Sequence, residues 1–198
     1  MSKFWEAQGI MGPLSAVDFY QIGQQVVRQN FETFIVRHSD EKTKLLDAGC
    51  STGVEGWRLY QQGFQGEYWG VDNNEKAIAL ARKNLEEFPV SFSVEDVAKL
   101  SFPDRHFDIV LLKDMIEHYK YYDAILNELV RVTKQYFILS TFIKPSDAPD
   151  QITPHADWGY LNRYNRSSLL GFVTSQGFTV RTLVVQGDDE VFLFERQT

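Results

Sequence analysis

From position 44 onward the chain alternates apolar runs of strand length with amphipathic stretches of helical length, and that alternation leaves few folds open. KLLDA (44–48), EYWGVD (67–72), VSFSVED (90–96), FDIVLLK (107–113) and YFILST (136–141) read as strands. Between them, 53–62 is a helix stopped by Gly63 and Gly66. Residues 74–87 form another, with Ala77, Ile78, Ala81 and Leu85 on one face and Pro89 closing it. Residues 115–132 read as one continuous helix, and 166–176 as a last helix ended by Gly177. A strand after each helix predicts a parallel sheet covered on both faces. The segment after 177 departs from that rhythm. FTVRTLVV (178–185) and EVFLFE (190–195) are joined by Gln186-Gly187-Asp188-Asp189, which reads as a hairpin. Ahead of the alternation, 15–37 has helical spacing, with Ser15 and Asp18 resembling a capping box. All 198 residues read as a single domain, with 1–40 as a helical lid.

Composition narrows the partners. A net charge of -7 repels phosphate backbones, so no nucleic acid is expected. The apolar runs at 109–112 and 136–139 are too short to span a bilayer, so no membrane partner is expected either. Residues 1–14 lack the apolar core of a signal peptide. The single cysteine, Cys50, excludes an internal disulfide and a multi-thiolate metal site, which fits a cytoplasmic protein.

The chemistry concentrates in Leu45-Leu46-Asp47-Ala48-Gly49-Cys50-Ser51-Thr52-Gly53, a strand entering a glycine-rich turn before a helix. Such a turn can cradle a ligand or be a plain tight connection. A dinucleotide fingerprint needs glycine at 51 and 54, where this chain has Ser51 and Val54. A nucleophile elbow, Gly49-x-Ser51-x-Gly53, matches literally and keeps a serine hydrolase open, although no histidine-glycine oxyanion loop accompanies it. A third reading uses three carboxylates at successive strand ends: Asp47, Asp72 and Asp96. In a parallel sheet these line one crevice. An acidic rim there suits a ribose diol, an exocyclic amine and a sulfonium cation, and would repel a pyrophosphate.

The runs LLDAGCSTG, GVDNN and VEDVAKLSFPDRHFDIVLLKDMIEH together resemble the class I S-adenosylmethionine-dependent methyltransferases, in particular the small-molecule branch that includes the quinone C-methyltransferases. The resemblance implies an α/β, Rossmann-like fold: a seven-stranded, mostly parallel sheet with a terminal antiparallel β-hairpin and helices on both faces. It implies S-adenosyl-L-methionine as cofactor, S-adenosylhomocysteine as product and a small-molecule acceptor. Carried over residue by residue, Asp47, Gly49 and Gly53 surround the methionine part and Asp72 holds the ribose hydroxyls. Asp96 bonds the adenine amine with the Val97 backbone beside it, and Asn73 and Leu100 flank the ring. Serine stands at 51 where the family has glycine; at a negative φ that is sterically mild, so a slight adjustment of the turn is expected. Lys113-Asp114-Met115-Ile116 at the end of the fourth strand departs from the motif of amino-group methyltransferases, and Ser140-Thr141-Phe142-Ile143 lacks the acids of the metal-dependent type, so no metal is expected.

Two histidines are candidate general bases. His118 falls on the helix after the fourth strand, facing either the pocket or solvent. His155 lies in the loop 142–164 beside Asp157 and Trp158. A loop that long is usually functional, and this one carries Trp158, Tyr160 and Tyr164. It either walls the acceptor pocket, together with Phe4, Trp5, Phe19 and Tyr20, or straps the fold. A methyltransferase-like binding module without activity stays open beside the enzyme. The acceptor, the atom methylated and the oligomeric state are not legible.

Overall fold

The computed structural model describes residues 25–197. Its frame is one seven-stranded sheet. The strands are β1 (Lys44–Ala48), β2 (Glu67–Asp72), β3 (Val90–Val94), β4 (Phe107–Lys113), β5 (Thr133–Thr141), β8 (Phe178–Gln186) and β9 (Asp189–Arg196). They lie in the order β3-β2-β1-β4-β5-β9-β8. β1 to β5 pair in parallel, and β9 is antiparallel to both of its neighbours. The expected Rossmann-like sheet with its terminal hairpin is therefore present. Gln186 pairs with Asp189 across a two-residue turn, and Gly187 takes the positive φ of 61° that such turns ask of their first central residue.

Period-two alternation divides the core. Leu46, Ala48, Val110, Leu112, Phe137, Leu139, Phe192 and Phe194 are buried together on one face of the sheet. Helices α4 (Asp123–Val132) and α5 (Arg166–Thr174) cover them with Ile125, Leu126, Leu129 and Leu169. Leu45, Ile109, Leu111, Ile138, Val191 and Leu193 point the other way. They pack against Val27, Phe31 and Ile35 of α1 (Gln25–Arg37) and Leu59 of α2 (Val54–Gln61). Helix α3 (Glu75–Asn84) lies against β2 and β3, its start capped by the Asn74 side chain, which accepts from the Lys76 and Ala77 N–H groups. Among the described residues no helix is long and apolar enough to cross a membrane.

Two expectations need correction. The helix read over 115–132 is broken. A 3₁₀ turn at Ile116–His118 ends in an extended Tyr119 (φ -108°, ψ 139°), and α4 starts only at Asp123. The break is held from outside, because the Tyr119 carbonyl accepts from Asn162 Nδ2 at 2.6 Å and from the Tyr164 hydroxyl. The loop 142–164 is not structureless either. Short strands β6 (Pro154–His155) and β7 (Gly159–Tyr160) pair antiparallel, and Gln151 with Arg163 extends the ladder below them. The capping box at Ser15 and Asp18, and Phe4, Trp5, Phe19 and Tyr20, lie outside the described residues.

Candidate functional site

The turn after β1 opens the site. Gly49 (φ 81°) and Gly53 (φ 79°) adopt left-handed backbone, and the Gly49 and Cys50 N–H groups both donate to the Val71 carbonyl, at 2.8 and 2.9 Å. Ser51 also lies there, at φ 49°, so the negative φ expected for it does not occur. Serine in left-handed backbone carries strain of about 1–2 kcal/mol. Its N–H donates to Asp72 Oδ2 at 3.1 Å, and that bond holds the turn against the end of β2. At Gly53 a Cβ would sit 2.9 Å from Leu85 Cδ1 and 3.1 Å from Phe92 Cζ. Gly53→Ala combines that clash with a strained left-handed φ and is expected to lower stability by about 1–3 kcal/mol. Urea unfolding with an unchanged midpoint would contradict this account of the turn.

Asp72 is half-buried at the carboxyl edge. Its Oδ1 accepts from the Asn74 N–H at 2.9 Å, and a carboxylate with about four lone-pair sites keeps acceptor capacity beyond its backbone bonds. Burial pushes its pKa up, and the N–H groups of Asn74, Ser51 and Asn73 oppose that. Asn73 is exposed beside it. Asp96 stands past the end of β3, exposed, with Oδ1 accepting from the Ala98 N–H at 2.9 Å; Val97 and Leu100 are buried behind it. The Tyr119 hydroxyl is held up to about 12, by burial first and then by the charges of Asp96 and Asp72. Tyr119 therefore stands in the field of both carboxylates. Asp47 is different. It is buried, takes a hydrogen bond from the Tyr68 hydroxyl, and is pushed up to about 6 by desolvation. Its hydrogen bond ties β1 to β2, two residues before Gly49.

The histidines converge on one tryptophan. His118 is buried at the end of the 3₁₀ turn, so it sits neither on a regular helix nor on a helix surface. Its ring lies 5.3 Å from Phe142 and 5.6 Å, edge-on, from Trp158. Its Nδ1 is 3.1 Å from the Tyr160 carbonyl. A carbonyl only accepts, so Nδ1 carries the proton and Nε2 keeps its lone pair. Burial lowers the His118 pKa, against opposing contributions from Tyr160 and Asp114. His155 stacks on Trp158 at 5.0 Å, and its Nδ1 accepts from the Asp157 N–H at 3.3 Å, which leaves Nε2 as the donor in the neutral ring.

Some residues here carry no sequence signal. Glu117 is buried beside His118, and its Oε1 accepts from the Phe142 and Ile143 N–H groups at 2.8 and 3.3 Å. Desolvation and the Asp114 charge push it up to about 8. The folded state thus keeps a proton that the unfolded chain, with a pKa near 4.5, releases. Its contribution is complete below pH 4.5 and is lost as pH rises through 8. Stability relative to Glu117→Gln should therefore fall between those limits; parallel melting curves for both proteins across that range would refute it. Among the described residues no histidine is hydrogen-bonded to Ser51, and no group of three or more His, Cys, Asp or Glu side chains is set to hold a metal ion.

The model of a family described as "Methyltransferase domain" matches residues 39–169. The ubiquinone/menaquinone biosynthesis C-methyltransferase UbiE of Neisseria gonorrhoeae is 32% identical over 121 residues, covering 59% of this chain and 49% of that protein. UbiE of Chromobacterium violaceum is 35% identical over 95 residues, covering 46% and 38%. The chain thus spans about half the length, or less, of these relatives. Among solved structures, PH0226 from Pyrococcus horikoshii superposes with a TM-score of 0.72 at 20% identity, over 98% of this chain and 99% of that one. Magnesium protoporphyrin IX methyltransferase from Synechocystis, with S-adenosylmethionine bound, gives 0.68 at 19% identity, over 90% and 82%.

Proposed function

This chain belongs to the methyltransferase domain family, and from that membership and the geometry of its carboxyl edge we propose that it transfers a methyl group from S-adenosyl-L-methionine to a small-molecule acceptor. The observation that carries this reading is the Asp72 carboxylate. It is tied to the glycine-rich turn by Ser51 and to the start of α3 by Asn74, with acceptor capacity left over for a diol. The fit to the cofactor is chemical. Asp72 takes the ribose hydroxyls, and Asp96 the adenine amine, with the Val97 backbone beside it and Asn73 and Leu100 against the ring. Gly49 and Gly53 let the backbone approach the methionine part, with Asp47 beside them at the end of β1. When bound, S-adenosylmethionine supplies a methyl already activated on a positive sulfur, so the chain has to align the acceptor and exclude water.

His118 is the base in this reading. It is neutral at pH 7, and its Nε2 accepts a proton from an acceptor O–H or acidic carbon. His155 offers Nε2–H to orient the acceptor. Phe142, Trp158 and His155 gather aromatic rings around His118, which suits a planar acceptor. The relatives' names make a quinol the first compound to try. The loop 142–164 forms the acceptor side. A reducing cytoplasm fits a chain whose one cysteine is buried.

The test is radiolabelled methyl transfer across quinols, phenols, sugars and amines, run beside a thermal shift with S-adenosylhomocysteine. A raised melting temperature and one labelled product are expected. No shift at millimolar ligand would defeat the proposal. Trp158→Ala and His155→Ala should each impair transfer while S-adenosylhomocysteine affinity stays within about twofold, a change of under 0.5 kcal/mol. Normal turnover by both variants would reduce the loop to a strap.

A further inference from the structure

The turn after β4 and the loop after β5 are bonded to one another on both sides of His118. Glu117 Oε1 takes the Phe142 and Ile143 N–H groups at the start of the loop. The Glu117 carbonyl takes the Asn162 N–H at 3.0 Å near its end. Asn162, fully buried, donates through Nδ2 to the Tyr119 carbonyl at 2.6 Å and to the Tyr164 hydroxyl at 2.9 Å, and accepts from the Thr153 N–H at 3.0 Å. Tyr160, whose carbonyl faces His118, lies two residues before Asn162 and pairs with Pro154 in the small hairpin.

We propose that Glu117 and Asn162 are positioning residues: they clamp the post-β5 loop across the 116–119 turn, so that the Tyr160 carbonyl fixes His118 in its Nδ1–H tautomer and leaves Nε2 as the lone-pair face. A neutral imidazole without a fixed partner exchanges between two tautomers, and a single acceptor at Nδ1 selects one. The bond is 3.1 Å long, and a shift of about half an ångström takes it past the limit at which it counts as a hydrogen bond. Glu117 works as an acceptor in this clamp. Its proton stays on the carboxyl at neutral pH through burial and the Asp114 charge, so an amide oxygen can do the same work. Titratable groups that act on His118 are Asp114, which favours its charged form, and His155, which opposes it; the Tyr160 carbonyl also favours the charged form.

The catalytic consequence rests on His118 being the base; the tautomer does not, and the experiment separates the two. The full chain, labelled with ¹⁵N-histidine and saturated with S-adenosylhomocysteine, reports ring tautomer and pKa by NMR. The His118 signal is assigned with His118→Gln. Wild type and Glu117→Gln should both show Nδ1–H. Glu117→Ala and Asn162→Ala should show mixed tautomers and a lower His118 pKa, because the carbonyl that favours the charged form has moved. Their kcat should fall about tenfold or more, part of the range general-base catalysis supplies, with KM for S-adenosylmethionine little changed. If Asn162→Ala fails to fold, Tyr164→Phe removes the hydroxyl that bonds Asn162 and Tyr119, and should give the same tautomer mixing. A pure Nδ1–H signal in every variant, or mixed tautomers in the wild type, overturns the clamp. Full activity in His118→Ala beside the expected tautomer shifts removes the base reading and leaves the clamp standing.

Discussion

His118→Ala is expected to lower kcat/KM for the acceptor by about 10²–10⁴-fold, the range a positioned general base supplies. S-adenosylhomocysteine should bind the variant as it binds the wild type, since the residues proposed to hold the cofactor lie at the ends of β1 to β3. The pH profile gives a second readout. His118 must be neutral to accept a proton, and burial lowers its pKa below the ordinary 6.5. The midpoint of the acid limb of wild-type kcat/KM should therefore lie below pH 6.5, with that limb lost in His118→Ala. A variant with wild-type rate and an unchanged limb would leave His118 as a packing residue between Phe142 and Trp158. A melting temperature within a few degrees of wild type is the control for folding.

Asp72→Ala should weaken S-adenosylhomocysteine by about tenfold or more, since hydrogen bonds to a charged group contribute roughly 1.5–3 kcal/mol. The structure adds a reason beyond direct contact. Asp72 also holds the Ser51 N–H, so its loss frees a turn whose backbone is strained at φ 49°. Asp96→Ala should have a smaller effect, because Asp96 is exposed and ties only its own turn through Ala98. Calorimetry with unchanged affinity for Asp72→Ala would remove the ribose assignment and with it the main support for the cofactor site.

The middle of the sheet was legible because its inner strands are buried on both faces. FDIVLLK and EYWGVD have no polar face to blur their limits, and both strands keep the expected bounds. The carboxylates at 72 and 96 were legible because strand ends in a parallel sheet share an edge. The break at Tyr119 was not. Apolar spacing runs from Ile116 through Leu129 without interruption, and the bonds that end the first turn come from residues more than 40 positions away. β6 and β7 are two residues each, below the length at which alternation can register. Ser51 was misjudged in backbone only: sequence says that serine can tolerate the turn, while the sign of φ is set by the Val71 and Asp72 bonds around it. Glu117 looks like any helix-surface acid until the loop 142–164 is laid over it.

The place of β9 sets an order of events in time. β5 and β8 share no ladder with each other; β9 separates them and pairs with both. While residues 189–196 are still missing from a growing chain, β5 has a bare edge of six residues, 136–141, and Phe137 lacks the stacked ring of Phe194, 5.5 Å away. An unpaired edge of that length is a template for other chains. The parallel half can gather around β1 and β4 early, but β8 reaches the sheet only through β9, so the sheet closes only when 189–196 pairs with both β5 and β8. A chain cut short before position 189 would therefore leave β8 with no partner in the sheet and would be open to association along β5.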